Sequence, residues 1–300
     1  TSFSNYLIAP VIALVISRSA RSTFVTILIY HAIISVLIQA YEQITGSYIF
    51  AIQDNGIALD ANFFGGNVEV TPEGEGRRIT LHPTKLISKD HYKVAGDFSS
   101  ASFLIVAGLI AKNSEILIKN VGLNKTRSGL LSVLKSMGAD IQILNQKTEC
   151  NEDVGDLLIK SSSLHGVEIG GAIIPNIIDE IPILSIAASC AEGKTTIKDA
   201  KELRVKESDR LEAIASGLKA LNVPHYLYED GIEISGVKEI FPSDEPIDSF
   251  GDHRIAMSFL ISSLISTKDI KVLNCKNIYT SFPSFFDEMN KLGLSMEKYG

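Results

Sequence analysis

The sequence predicts an α/β (α+β) fold made of tandem βαβαββ subdomains, and three observations carry that expectation. Three stretches share one grammar: an Asp opens an apolar helix, a short polar break ends it, and a β-rich strand follows. Each strand leads into a second helix that closes at Gly or Asn before another short strand. The leading residues Asp97, Asp179 and Asp252 recur at intervals of 82 and 73 residues, too long for a solenoid and suited to a compact subdomain copied in tandem.

Residues 1–94 read as a poorer fourth copy. Apolar helices are expected over 6–16 and 32–44, and strands over 24–30 and 48–52. Asn, Asp and Gly crowd 54–66, which reads as an inserted loop, and 67–71 is expected to pair with 77–81 across Pro72-Glu73-Gly74. The first full copy opens at Gly96-Asp97-Phe98-Ser99-Ser100-Ala101, where Asp97 is placed to cap a helix; a strand over 116–118 and a helix from Ser128 to Met137-Gly138-Ala139 follow. The second opens at Asp179-Glu180-Ile181-Pro182, breaks at Ala191-Glu192-Gly193, and continues as a strand over 195–197 and a helix from Asp209 to Leu221-Asn222-Val223. The third opens at Asp252-His253-Arg254-Ile255-Ala256, with a strand over 270–272 and a helix from Ser284 to Leu292-Gly293-Leu294.

A chain of 300 residues with 45% apolar content can bury one large core or two medium ones, and two lobes are expected. The net charge of −7 gives no global basic field for nucleic acid, so an anionic small molecule must be captured by local Lys and Arg groups in a cleft. Cys150, Cys190 and Cys275 are odd in number and form no CxxC pattern, which points to a reducing cytoplasm. The six histidines are equally scattered, so no metal and no cofactor is expected. The run 24–41 is apolar but interrupted by His31, Ser35 and Gln39; it reads as buried strand and helix, not a membrane span. The opening Thr1-Ser2-Phe3 carries neither an initiating Met nor a signal-peptide flank, and the chain reads as a fragment beginning partway through something.

The densest polar segment is Arg204-Val205-Lys206-Glu207-Ser208-Asp209-Arg210, set between two apolar runs. If it is helical, Lys206 and Arg210 share a face, with Glu207 beside them and Ser208 or Asp209 placed to cap the next helix. Such a face suits a phosphorylated, carboxylated ligand. The plainer reading is a solvated helix start, with Glu207 and Asp209 complementing the dipole, Asp179 capping its own helix as Asp97 does, and Arg254 exposed. Asp252 and His253 read as local support.

Five segments, in order along the last two-thirds of the chain, resemble the enolpyruvyl transferases, in particular the branch that acts on shikimate 3-phosphate. They are GDFSSA at 96–101, NKTRSG at 124–129, IDEIP at 178–182, LRVKESDRL at 203–211 and DHRIAM at 252–257. The resemblance implies two lobes, each of three βαβαββ units around a pseudo-threefold axis, closing on shikimate 3-phosphate and phosphoenolpyruvate. Residues 95–300 would be the C-terminal lobe, and 1–94 a partial, degenerate remainder of the N-terminal lobe. It also implies roles: Asp179 as the base for the 5-hydroxyl, Glu207 as the group exchanging protons with C3 of phosphoenolpyruvate, Arg210 and Arg254 as phosphoenolpyruvate ligands, and Lys206 between the substrates. A monomer is the family default.

Departures from the family pattern shape the expectation. Thr280, in Tyr279-Thr280-Ser281-Phe282-Pro283, resembles a subgroup known for glyphosate tolerance, and Lys125 stands where Pro is usual. The Lys-Ser pair and the Arg residues that grip substrate from the N-terminal side have no match, and Ser4-Asn5-Tyr6 resembles only faintly the Ser-Gln-aromatic segment there. Since each lost preorganised group costs on the order of 10² to 10³ in rate, the chain alone is expected to be weak or inactive. The alternatives are a non-catalytic lobe that associates with a partner chain, and the related transfer onto UDP-N-acetylglucosamine, which is disfavoured because neither Cys150 nor Cys275 lies in a basic, Gly-rich loop.

Overall fold

The computed structural model describes residues 67–73, 76–82, 93–150 and 152–297. The helices and strands expected over 6–52, the loop at 54–66 and the apolar run 24–41 lie outside the described residues. The chain divides into two compact units, 1–94 with 149–152, and 95–148 with 153–300. In the first, β1 (Asn67–Glu73) and β2 (Gly76–His82) form an antiparallel hairpin running from Asn67 opposite His82 to Glu73 opposite Gly76. Pro72, expected in the turn, pairs with Arg77 inside the ribbon. A two-stranded ribbon has only edge strands, where the missing proline N–H is tolerated.

In the second unit the repeat is visible as topology. The first copy contains α1 (Phe98–Ile110), β3 (Glu115–Gly122), α2 (Gly129–Ser136), β4 (Asp140–Glu149) and β5 (Glu152–Lys160). A parallel bridge joins Gly96 to Val121, β3 pairs antiparallel with β5, and the sheet order is β3-β5-β4. The second copy runs through β6 (Glu168–Ile169), the short α3 (Ile174–Ile177), α4 (Ile181–Ser189), β7 (Lys194–Ile197), α5 (Arg210–Ala220), β8 (His225–Leu227) and β9 (Ile232–Ser235). Its sheet repeats the arrangement: β6 is parallel to β7, β7 antiparallel to β9, and the order is β6-β7-β9-β8. The third copy has β10 (Ile247–Asp248), α6 (His253–Ile261), β11 (Val272–Leu273), α7 (Ile278–Ser281) and α8 (Phe285–Lys291), with β10 parallel to β11.

The first helices of the three copies, α1, α4 and α6, each pack against the other two and form the centre of the core. The sequences of α1 and α4 are apolar around most of the circumference, which requires burial on nearly all sides. Ile105, Leu184, Ile186 and Phe259 are accordingly buried. The second helices, α2, α5 and α8, end alike. Gly138, Asn222 and Gly293 adopt left-handed φ of 94°, 55° and 90°, and the next residue donates back to Leu134, Leu218 and Met289 at 3.0, 2.9 and 3.0 Å. This is the Schellman closure, in which Gly or Asn takes the left-handed position at least cost. The residue before it is fully buried in the first two copies (Met137, Leu221) and 41% exposed in the third (Leu292), where no antiparallel strand pair follows among the described residues.

Candidate active site

Mutual packing of α1, α4 and α6 brings their N-terminal ends together, and the side chains there bond across copies. Asp97 caps α1 through the Ser99 and Ser100 amides, and Asp252 caps α6 through the Arg254 and Ile255 amides. The equivalent position in α4 is Glu180, whose side chain makes no cap bond. Ser99 Oγ instead donates to Glu180 Oε1 at 2.6 Å, while Arg127 Nη2 donates to Ser99 Oγ at 2.9 Å. Three positive helix ends thus face one region, a setting that favours anionic groups.

Arg210, the first residue of α5, is the charged centre. Only 1% of its side chain is exposed, and it meets three carboxylates: Nε donates to Asp252 Oδ2 at 2.7 Å, Nη1 to Asp179 Oδ1 at 3.1 Å, and Nη2 to Glu207 Oε2. Asp252 is wholly buried. The guanidinium fork satisfies partners on separate elements at once, which a lysine ammonium could not do in this planar geometry.

The helical face expected to join Lys206 to Arg210 is not formed. A 3₁₀ turn covers Lys201–Val205, Lys206 is extended, and Asp209 in extended backbone accepts from the Glu212 amide, so α5 begins only at Arg210. Asp is a strong capping residue, and its local bond stops the helix from extending backwards. Lys206 Nζ consequently turns to Glu202 Oε1 at 2.7 Å, and Arg204 Nη1 binds Asp209 Oδ2 at 2.8 Å.

Asp179 is not an N-cap either; it lies one residue before that position. Its side chain, 17% exposed, sits between Arg210 and Arg254, whose Nη2 lies 3.6 Å from Oδ2. Burial pushes its pKa up, but the charges of Arg254, Arg210, Arg127 and Lys206 outweigh this and hold the carboxyl below its usual range. Glu180 behaves oppositely. Its burial dominates over Arg254, Ser99 and Arg127 and raises its pKa. Arg254 Nη1 donates to the Asp179 carbonyl at 3.1 Å and lies 3.4 Å from Glu180 Oε1. Burial, aided by Arg254, lowers the pKa of His253.

Four of the five residues singled out in the sequence are therefore in one network: Asp179, Glu207, Arg210 and Arg254. Lys206 contributes its charge at Asp179 without a direct bond to it. Sequence reasoning missed Glu180, Ser99 and Arg127 as partners. Arg127 lay in a segment quoted for the resemblance. Among the described residues no group of His, Cys, Asp and Glu is arranged to hold a metal ion, and no single helix is long and apolar enough to cross a membrane.

Comparison with known proteins places the chain in a family. The family model for EPSP synthase (3-phosphoshikimate 1-carboxyvinyltransferase) matches residues 60–289. A 3-phosphoshikimate 1-carboxyvinyltransferase of Petrotoga mobilis is 56% identical over 209 residues, which are 70% of this chain and 48% of that protein. One from Legionella pneumophila is 43% identical over 255 residues, covering 85% of this chain and 53% of the relative. The chain spans about half the length of the curated relatives it matches. Among solved structures, EPSP synthase from Acinetobacter baumannii superposes with a TM-score of 0.71 at 36% identity, over 79% of this chain and 54% of that one. The enolpyruvyl transferase NikO from Streptomyces tendae, at 16% identity and a TM-score of 0.59 over 78% of this chain and 51% of that one, shares the fold. The chain belongs to the EPSP synthase family.

Proposed function

We propose that the chain carries the Asp179, Lys206, Glu207, Arg210 and Arg254 side of an active site that transfers the enolpyruvyl group of phosphoenolpyruvate to the 5-hydroxyl of shikimate 3-phosphate. The observation that carries this reading is a carboxylate, Asp179, held between two guanidinium groups where three helix N-termini converge. Family membership supplies the reaction class. In this reading 1–94 is the partial remainder of one lobe and 95–300 the other, acting as a monomer in the cytoplasm.

The 5-hydroxyl oxygen forms a bond to C2 of phosphoenolpyruvate, its proton passing to Asp179, while C3 takes a proton from Glu207. The tetrahedral product then loses a C3 proton back to Glu207 as the C2–O bond to phosphate breaks, and the proton held on Asp179 leaves with the phosphate, giving the enolpyruvyl ether and inorganic phosphate. Two acid/base groups are needed, and here they flank one arginine. The surrounding arginines make Asp179 a weak base. Two anionic substrates would offset those charges and raise its proton affinity where the hydroxyl proton must be taken. Arg254 and Arg210 would hold the carboxylate and phosphate of phosphoenolpyruvate, and Lys206 would leave Glu202 to stabilise charge between the substrates.

Phosphate release from shikimate 3-phosphate plus phosphoenolpyruvate tests the reading. Slow release is expected from the 300-residue chain, falling at least about 10²-fold in Asp179→Ala and in Glu207→Gln. Release equal in all three proteins would remove both residues from the chemistry, and no release from folded chain would deny that this chain alone is sufficient.

A further inference from the structure

We propose that Glu180 is a positioning residue of the site: its long carboxylate ties the Arg254 guanidinium to Ser99 and Arg127 across the three helix ends instead of capping its own helix. The internal repeat makes the argument. Asp97, Glu180 and Asp252 occupy the same N-cap position of α1, α4 and α6. The two Asp residues bond their own helix amides, as short capping acids do. Glu180 is one methylene longer, bonds none of the α4 amides, and is only 2% exposed.

A buried carboxylate without local partners must find them elsewhere or destabilise the fold. Its partners lie on the other two copies: Ser99 Oγ at 2.6 Å on α1, itself bonded by Arg127, and Arg254 Nη1 at 3.4 Å on α6. Arg254 Nη1 is thus held between Glu180 Oε1 and the Asp179 carbonyl, which leaves Nη2 directed toward the Asp179 carboxylate. Charge compensation alone would be met by an Asp; reach is what distinguishes Glu180 from the capping Asp at the same position of the other two copies.

The test separates reach from charge. In the 300-residue chain labelled with ¹⁵N-arginine, the Nη–H resonances of Arg254 are assigned with Arg254→Lys and their solvent exchange measured. Glu180→Asp keeps the charge and supplies a good cap, and Glu180→Gln keeps the length. Exchange at Arg254 is expected to quicken about tenfold in Glu180→Asp, which loses the reach, and much less in Glu180→Gln, which keeps it, while Arg210, held by Asp252, stays unchanged as the check on folding. Ser99→Ala, which leaves Glu180 in place, is the second route and is expected to loosen Arg127 and Arg254 together. Unaltered Arg254 exchange in Glu180→Asp and Ser99→Ala overturns the proposal. Because it rests on the functional reading above, phosphoenolpyruvate is titrated in parallel, with affinity expected to fall about tenfold in Glu180→Asp. Failure of the unmutated chain to bind would count against that reading, whereas the exchange result decides the role of Glu180.

Discussion

Replacing Asp252 with Asn isolates the charge of the buried centre from its geometry. Asp252 is wholly buried and accepts from the Arg254 and Ile255 amides at the start of α6, from Arg210 Nε at 2.7 Å and from Ser208 Oγ at 3.3 Å. Asn is an equally good cap, so the capping contribution of about 1 kcal/mol is retained. What is lost is one charge of a buried pair, which ordinarily costs about 3–5 kcal/mol. Arg210 keeps Asp179 and Glu207, so the lower end, about 3 kcal/mol, is expected for Asp252→Asn, and about 4 kcal/mol for Asp252→Ala, which also removes the cap. The chain has no Trp, and urea unfolding is therefore followed by far-ultraviolet circular dichroism. Adding Arg210→Met to Asp252→Asn removes the partner of the missing charge, and the double variant is expected to cost at least about 1 kcal/mol less than the sum of the two single variants. A cost below about 1 kcal/mol for Asp252→Asn, or simple additivity in the double variant, would refute the buried-centre reasoning.

Further perturbations probe packing and titration. A Cβ at Gly217 would lie 2.0 Å from Phe259 Cζ, so Gly217→Ala should lower the melting temperature despite the roughly 1 kcal/mol gain in helix propensity; an unchanged value would mean that α5 and α6 are not this close. His253 has a lowered pKa in the folded chain, so its contribution to stability is full above the unfolded value near 6.5 and is lost as pH falls through the folded one. Stability should decline from pH 7 toward pH 5, and His253→Asn should flatten that decline in pH-dependent melting curves. Burial pushes the Cys190 thiol up to about 12 and Cys275 up to about 11, so both should resist iodoacetamide at pH 8 until the chain is unfolded, as read by peptide mass mapping.

What was legible in the sequence followed from local physics. Asp97 and Asp252 announce helix starts because a short acid can bond amides two and three residues ahead. Gly138, Asn222 and Gly293 announce helix ends because few other residues adopt left-handed φ cheaply. The same local rules misled where a side chain answers to distant partners. Asp179 resembles Asp97 in sequence yet faces two arginines, and the cap position falls to Glu180. The shared face of Lys206 and Arg210 required a helix that Asp209 prevents from forming. Glu180 was silent because its partners, Ser99 and Arg254, lie 81 and 74 residues away, and only the packing of three helices brings them together.

The most direct test of the central claim is calorimetric titration of phosphoenolpyruvate into the 300-residue chain and its Arg254→Ala variant, with folding of both checked by circular dichroism. Saturable binding is expected in the unmutated chain, weakened about 10- to 100-fold in the variant through loss of one charge-assisted contact to an anion. Equal affinity in the two proteins, or no binding by the folded unmutated chain, would contradict the assignment of this arginine-rimmed carboxylate as a phosphoenolpyruvate site.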